Sequence, residues 1–112
     1  DEAFKTLGHL TVPHFTDRHT SSGHLYLLRI PGIGVDRRNE LIVQMAERGI
    51  ATNVHFKPLP MMTAYKNMGF DIADFPNAYH QYENEITLPL NTKLSDEDVE
   101  YIINNLLEIL HE

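Results

Sequence analysis

HLYLLRIPGIGVDRRNELIVQMAERGIATNVHFKPLP, residues 24–60, decides the fold and reads as strand, helix, strand. In residues 24–30, Leu25 and Leu27 fall on one face and Tyr26, Leu28 and Ile30 on the other. Apolar groups on both faces predict a central strand covered on both sides. PGIGV then leads into a helix expected from about Asp36 to Arg48, with Asp36 as its N-cap. Leu41, Ile42, Met45 and Ala46 make its apolar stripe, and Gly49 suits the left-handed position past its end. In the second strand, Ala51, Asn53, His55 and Lys57 alternate with Thr52, Val54 and Phe56. The second set reads as core. The first ends in polar groups, and Pro58 and Pro60 stop the strand. Such an ending suits side chains delivered to a cleft, and equally an ordinary edge strand.

Working outward, residues 61–68 read as a short helix closed by Gly69, with Met61, Met62, Tyr65 and Met68 available for packing. Another short helix is expected to begin near Pro76, where proline suits a first turn. EITLPL, residues 85–90, is a third strand with Ile86, Leu88 and Leu90 on one face and Pro89 near its end. The last helix opens on Ser95 and Asp98 in capping-box spacing. Val99, Ile102, Ile103, Leu106 and Leu110 form its stripe. Upstream, residues 1–8 resemble the last turns of a helix stopped by Gly8, and the stretch to Gly23 is extended or irregular. The pattern predicts one α+β domain over residues 1–112, with 1–22 as lead-in and 23–112 as core. Its centre is a small, mainly antiparallel sheet of three or four strands with helices packed on one face.

Composition narrows the function. With 16 acidic and 9 basic residues, the formal charge is -7, which repels phosphate backbones and anionic membranes alike. Nucleic-acid binding and membrane association are therefore not expected. The absence of cysteine removes disulfides, thiolate metal sites and cysteine nucleophiles. No apolar run is long enough to cross a bilayer and DEAFKTLG does not resemble a signal peptide, so a cytoplasmic location is the expectation.

Several features invite chemistry and decline it. His9, His14, His19 and His24 recur every five residues, a spacing that scatters them on a helix or a strand, so no metal site is expected. PGIGV lacks the third glycine of a dinucleotide loop and the Gly-Lys-Ser/Thr of a P-loop. The acidic run DEDVE reads as a solvated first turn matched to the helix dipole. His55 and Lys57 remain as the polar groups set out by an otherwise apolar strand.

One longer pattern joins these pieces. Arg38 and Leu41, then GIATNVHF over residues 49–56, Pro58-Leu59, Tyr65, DFPNAY, and finally EITLPLNTKLSDEDVEYII follow one another in order. This resembles the C-terminal part of the DegT/DnrJ/StrS family of pyridoxal-phosphate-dependent sugar aminotransferases, over about residues 23–110. The resemblance implies the small domain of a fold type I enzyme. The larger N-terminal domain would hold pyridoxal phosphate and the Schiff-base lysine, and Lys5, Lys57, Lys66 and Lys93 all lie outside any stretch like that lysine motif. No cofactor is expected to bind this stretch alone, and no catalytic residue is assigned to it.

The same resemblance implies transfer of an amino group from glutamate to a nucleotide-linked keto sugar, by a complete enzyme that is a homodimer. It puts the strand ending in His55 at the cleft between domains, with Asn53, His55 and Lys57 as candidate substrate-binding residues. An imidazole there can bond a sugar hydroxyl or a phosphate oxygen. His24 matches a family position and reads as structural. A stand-alone binding module that kept the fold without the chemistry is the alternative.

Overall fold

A computed structural model describes residues 1–8, 10–11 and 16–111. A 3-10 helix over Glu2–Leu7 is followed by β1 (Leu10–Thr11), β2 (Tyr26–Arg29) and α1 (Val35–Glu47). Then come α2 (Thr63–Asn67) and α3 (Pro76–Glu83), each preceded by a short 3-10 turn, β3 (Glu85–Leu88) and α4 (Asp96–His111). The three strands form one antiparallel sheet in the order β1-β2-β3. The α+β expectation holds, with the Tyr26–Arg29 strand at the centre. His9 and His14 lie outside the described residues, and no group able to hold a metal ion occurs among the described ones.

Register sorts the side chains of the sheet. Tyr26 faces Leu88 and Leu28 faces Ile86 across β2 and β3, while Leu27 faces Thr87 and Arg29 faces Glu85. The first set meets the helices. Leu28, Ile30, Ile86 and Leu88 join Leu41 and Met45 of α1, Ile102, Leu106 and Ile109 of α4, and Phe4 and Ile50 in one buried cluster. The other face of β2 is less well covered than its apolar residues predicted: Leu25 and Leu27 are half-buried, not core.

Helix ends follow local chemistry, with one correction. Gly34, not Asp36, is the N-cap of α1, and Asp36 sits within the first turn. The extended backbone of Gly34 is already in place to take the first helical bond, from Arg38 N–H at 3.0 Å. At the other end Gly49 N–H donates to Ala46 O and Ile50 N–H to Met45 O, both at 2.9 Å. This pair of bonds is a Schellman closure, and Gly49 adopts a φ of 76° to make it. In α4, Ser95 N–H donates to Asp98 Oδ2 at 2.9 Å and Asp98 N–H to Ser95 Oγ at 3.1 Å, so the capping box forms as read. Two stripe residues depart from expectation: Ala46 and Val99 are exposed, and Ile109 takes a core position.

Polar bonds fasten the two long helices. Arg48 Nη1 meets Glu108 Oε2 at 2.6 Å, Arg37 Nη2 donates to Ile109 O at 3.0 Å, and Tyr101 Oη donates to Arg48 O at 3.1 Å. Arg38, by contrast, is a buried charge. It occupies the core face of α1 one turn before Leu41, with 1% of its surface exposed.

Candidate functional site

The segment expected as a second strand is not one. Residues 51–56 touch the sheet through a single antiparallel bridge, Asn53 to Thr87, with Asn53 N–H donating to Thr87 O and Thr87 N–H to Asn53 O. The next donors leave the ladder. Val54 N–H goes to the side-chain Oδ1 of Asn53 at 2.8 Å, and His55 N–H to Oε2 of Glu85 at 2.9 Å. Side-chain acceptors have displaced backbone ones, the usual way that short polar groups end regular structure. Phe56 is consequently 72% exposed and not in the core as its alternation suggested.

That irregular segment lies beside β3, on the face of the sheet turned away from the helices. Glu85 and Thr87 point to this face, yet they are 1% and 6% exposed because residues 53–55 cover them. His55 Nδ1 lies 2.9 Å from Thr87 Oγ1, and Thr87 Oγ1 donates to Glu85 Oε1 at 2.5 Å. The Phe56 ring meets the imidazole edge-on, with centroids 4.6 Å apart. His55 is therefore a half-buried ring held on two sides, and its Nε2 has no partner among the described residues.

A cavity of about 270 Å³ opens here, lined by His24, Thr52, Asn53, His55 and Thr87 with apolar neighbours that include Leu25 and Leu88. Asn53 and His55 are brought together at it. Lys57 is exposed and does not line it. Thr52 contributes a hydroxyl oxygen that is buried with no hydrogen-bond partner among the described residues. Glu85, Thr87 and the site position of His24 were missed from sequence. Alternation carried the signal for two of them, since Ile86 and Leu88 in the core put Glu85 and Thr87 on the opposite face.

The cavity offers imidazole, hydroxyl and amide groups and no ammonium. Lys5 is paired with Glu2 at 2.5 Å, and Lys57, Lys66 and Lys93 are exposed and do not line it. These residues do not make a site for pyridoxal phosphate, which needs a lysine to hold it covalently. They suit recognition of a neutral, hydroxyl-rich ligand.

Residues 1–107 match the model of the DegT/DnrJ/EryC1/StrS aminotransferase family. Spr1654 of Streptococcus pneumoniae, a candidate sugar aminotransferase solved in its PMP-form, superposes with a TM-score of 0.95 and 49% identity. The match covers 99% of this chain and 28% of that one. The Bacillus subtilis spore coat polysaccharide biosynthesis protein SpsC is 34% identical over 96% of this chain and 28% of its own length. The UDP-4-amino-4,6-dideoxy-N-acetyl-beta-L-altrosamine transaminase of Helicobacter pylori is 29% identical, again over 96% of this chain and 28% of its own. The chain thus spans under a third of the length of these relatives.

Proposed function

The chain belongs to the DegT/DnrJ/EryC1/StrS aminotransferase family, and on that premise we propose that it is the C-terminal small domain of a sugar aminotransferase. The complete protein would move an amino group from glutamate to a nucleotide-linked keto sugar, as a homodimer in the cytoplasm. Pyridoxal phosphate, bound by residues outside this stretch, supplies the electron sink for that exchange. The work of this chain is to bind and orient the sugar.

The observation that carries the reading is the His55 cavity. Its imidazole is held by Thr87 and by the Phe56 ring, which leaves one ring nitrogen for a ligand at the cavity that His55 lines. Asn53 spends its Oδ1 on Val54 N–H, which fixes the amide and leaves its NH2 group as a donor. Polar groups placed in this way orient a sugar ring at a fixed angle. Lys57 lies outside the cavity, and we assign it to the rim, where its charge can meet the nucleotide phosphates of the substrate.

The surface adds support. Phe56, Leu59, Met62, Met68, Phe70 and Phe75 are all exposed, and all lie within one stretch of 20 residues, 56–75. A concentration of apolar groups of this kind marks a face built to be covered. In the complete enzyme we assign it to the contact with the large domain.

The test is made in the complete enzyme, with glutamate and a nucleotide-linked keto sugar as substrates. His55→Ala should slow amination by the worth of one positioned hydrogen bond, about 0.5–1.5 kcal/mol, or about 3 if its partner is charged. The cofactor absorbance and the fold should be retained. Unchanged kinetics in this variant would remove His55 from the site.

A further inference from the structure

The contacts around His55 fix more than its position. Glu85 lies 30 residues from His55 in sequence and its carboxylate receives one donor on each oxygen, Thr87 Oγ1 on Oε1 and His55 N–H on Oε2. A backbone N–H can only donate, so Oε2 must accept. Thr87 has a single hydroxyl proton and spends it on Oε1 at 2.5 Å. Toward His55 its oxygen is then an acceptor only. With Glu85 as a carboxylate, the 2.9 Å contact between Thr87 Oγ1 and His55 Nδ1 puts a proton on Nδ1.

We propose that Glu85 and Thr87 are positioning residues that hold His55, in its neutral form, with the proton on Nδ1 and so present Nε2 to the cavity as an acceptor. The proposal rests on the substrate reading above and sharpens it. A bare Nε2 pairs with a hydroxyl group, which donates, and not with a phosphate oxygen, which only accepts. Of the two partners open to an imidazole at this cleft, the sugar hydroxyl is the one selected. The two anchoring groups are shielded from solvent: Glu85 is 1% and Thr87 6% exposed, so water competes little for the bond between them. Arg38 fastens the backbone at the start of β3, with Nη1 donating to the Glu85 carbonyl at 3.3 Å.

Nitrogen-15 NMR of the imidazoles reads the protonation of each ring nitrogen directly, followed across basic pH to the spectrum of the neutral ring. The His55 signals are identified as those absent from His55→Gln. In the native protein, Nδ1 should carry the proton and Nε2 should be bare. Thr87→Val keeps the shape of the side chain and removes the acceptor, so the proton should move toward Nε2. Thr87→Ser should restore the native pattern. In the complete enzyme Thr87→Val should lower kcat/KM about tenfold, one hydrogen bond's worth, and Thr87→Ser should recover it.

A proton on Nε2 in the native protein, or a tautomer indifferent to Thr87→Val, overturns the relay. His55→Ala can still slow amination in that case, so the substrate reading survives. A native Nδ1–H together with unchanged kinetics in His55→Ala gives the converse, overturning the ligand role of Nε2.

Discussion

Arg38 grips Tyr82 twice: Nη1 donates to the Tyr82 carbonyl at 2.9 Å, and the guanidinium carbon lies 4.7 Å from the centroid of the Tyr82 ring. The same nitrogen reaches the Glu85 carbonyl, and Nε donates to Asn39 Oδ1 at 2.9 Å. One side chain of α1 thus ties the end of α3 to the start of the strand beneath the site. Arg38→Met fills similar volume but strands the buried Glu85 carbonyl and the half-buried Tyr82 carbonyl, so it should cost about 3 kcal/mol of stability. Urea denaturation measures it. A loss under about 0.5 kcal/mol would mean that the buried charge contributes nothing to the fold.

Thr52 should behave in the opposite way. Its hydroxyl oxygen is buried and unpartnered among the described residues. Thr52→Val replaces that oxygen with a methyl group of similar size and should raise stability by about 1 kcal/mol. Thermal unfolding of the two proteins would show it, and a destabilised variant would reveal a bond that this hydroxyl makes.

The capping box of α4 sets a pH dependence. The hydrogen bonds from the backbone and then the side chain of Ser95 hold the Asp98 carboxyl below its ordinary value. A depressed folded value means that the stabilisation is fully present above the unfolded aspartate range, near about pH 3.9. It is lost as pH falls through the lower folded value. The stability advantage of the native protein over Asp98→Asn should therefore be flat at neutral pH and shrink in acid below about pH 4. An advantage that stays constant into strong acid would dissociate Asp98 from the cap.

Gly49 closes α1 with a φ of 76°, and a Cβ built there would meet nothing within 4 Å. Space is not at issue; only the left-handed backbone is. Gly49→Ala should cost about 1–2 kcal/mol by equilibrium denaturation. No measurable change would show that the Schellman closure can be replaced without loss.

How much of this was legible in the sequence follows from the range of each interaction. Helices, caps and the central strand rest on contacts within a few residues, and their apolar periods of 3.6 and 2 are written along the chain. Leu41 and Met45, Ile86 and Leu88, and the Ser95–Asp98 box all read directly. The family pattern over residues 49–56 likewise pointed to His55 and Asn53. Alternation failed from Val54 onward because it assumes that backbone donors find backbone acceptors. Here Asn53 and Glu85 side chains took the donors of Val54 and His55, and the strand ended with Phe56 in solvent.

The sequence by itself determined the α+β plan, the single core and the histidine at the end of the irregular segment. The tertiary structure decided what that histidine is. Its orientation and its covered flank depend on Glu85 and Thr87, which stand 30 and 32 residues away in the chain. Periodicity can assign a residue to a face, but only the antiparallel bridge between Asn53 and Thr87 sets which residues of two distant segments meet. That register, fixed by packing across the whole sheet, turns three unrelated polar residues into one hydrogen-bonded chain.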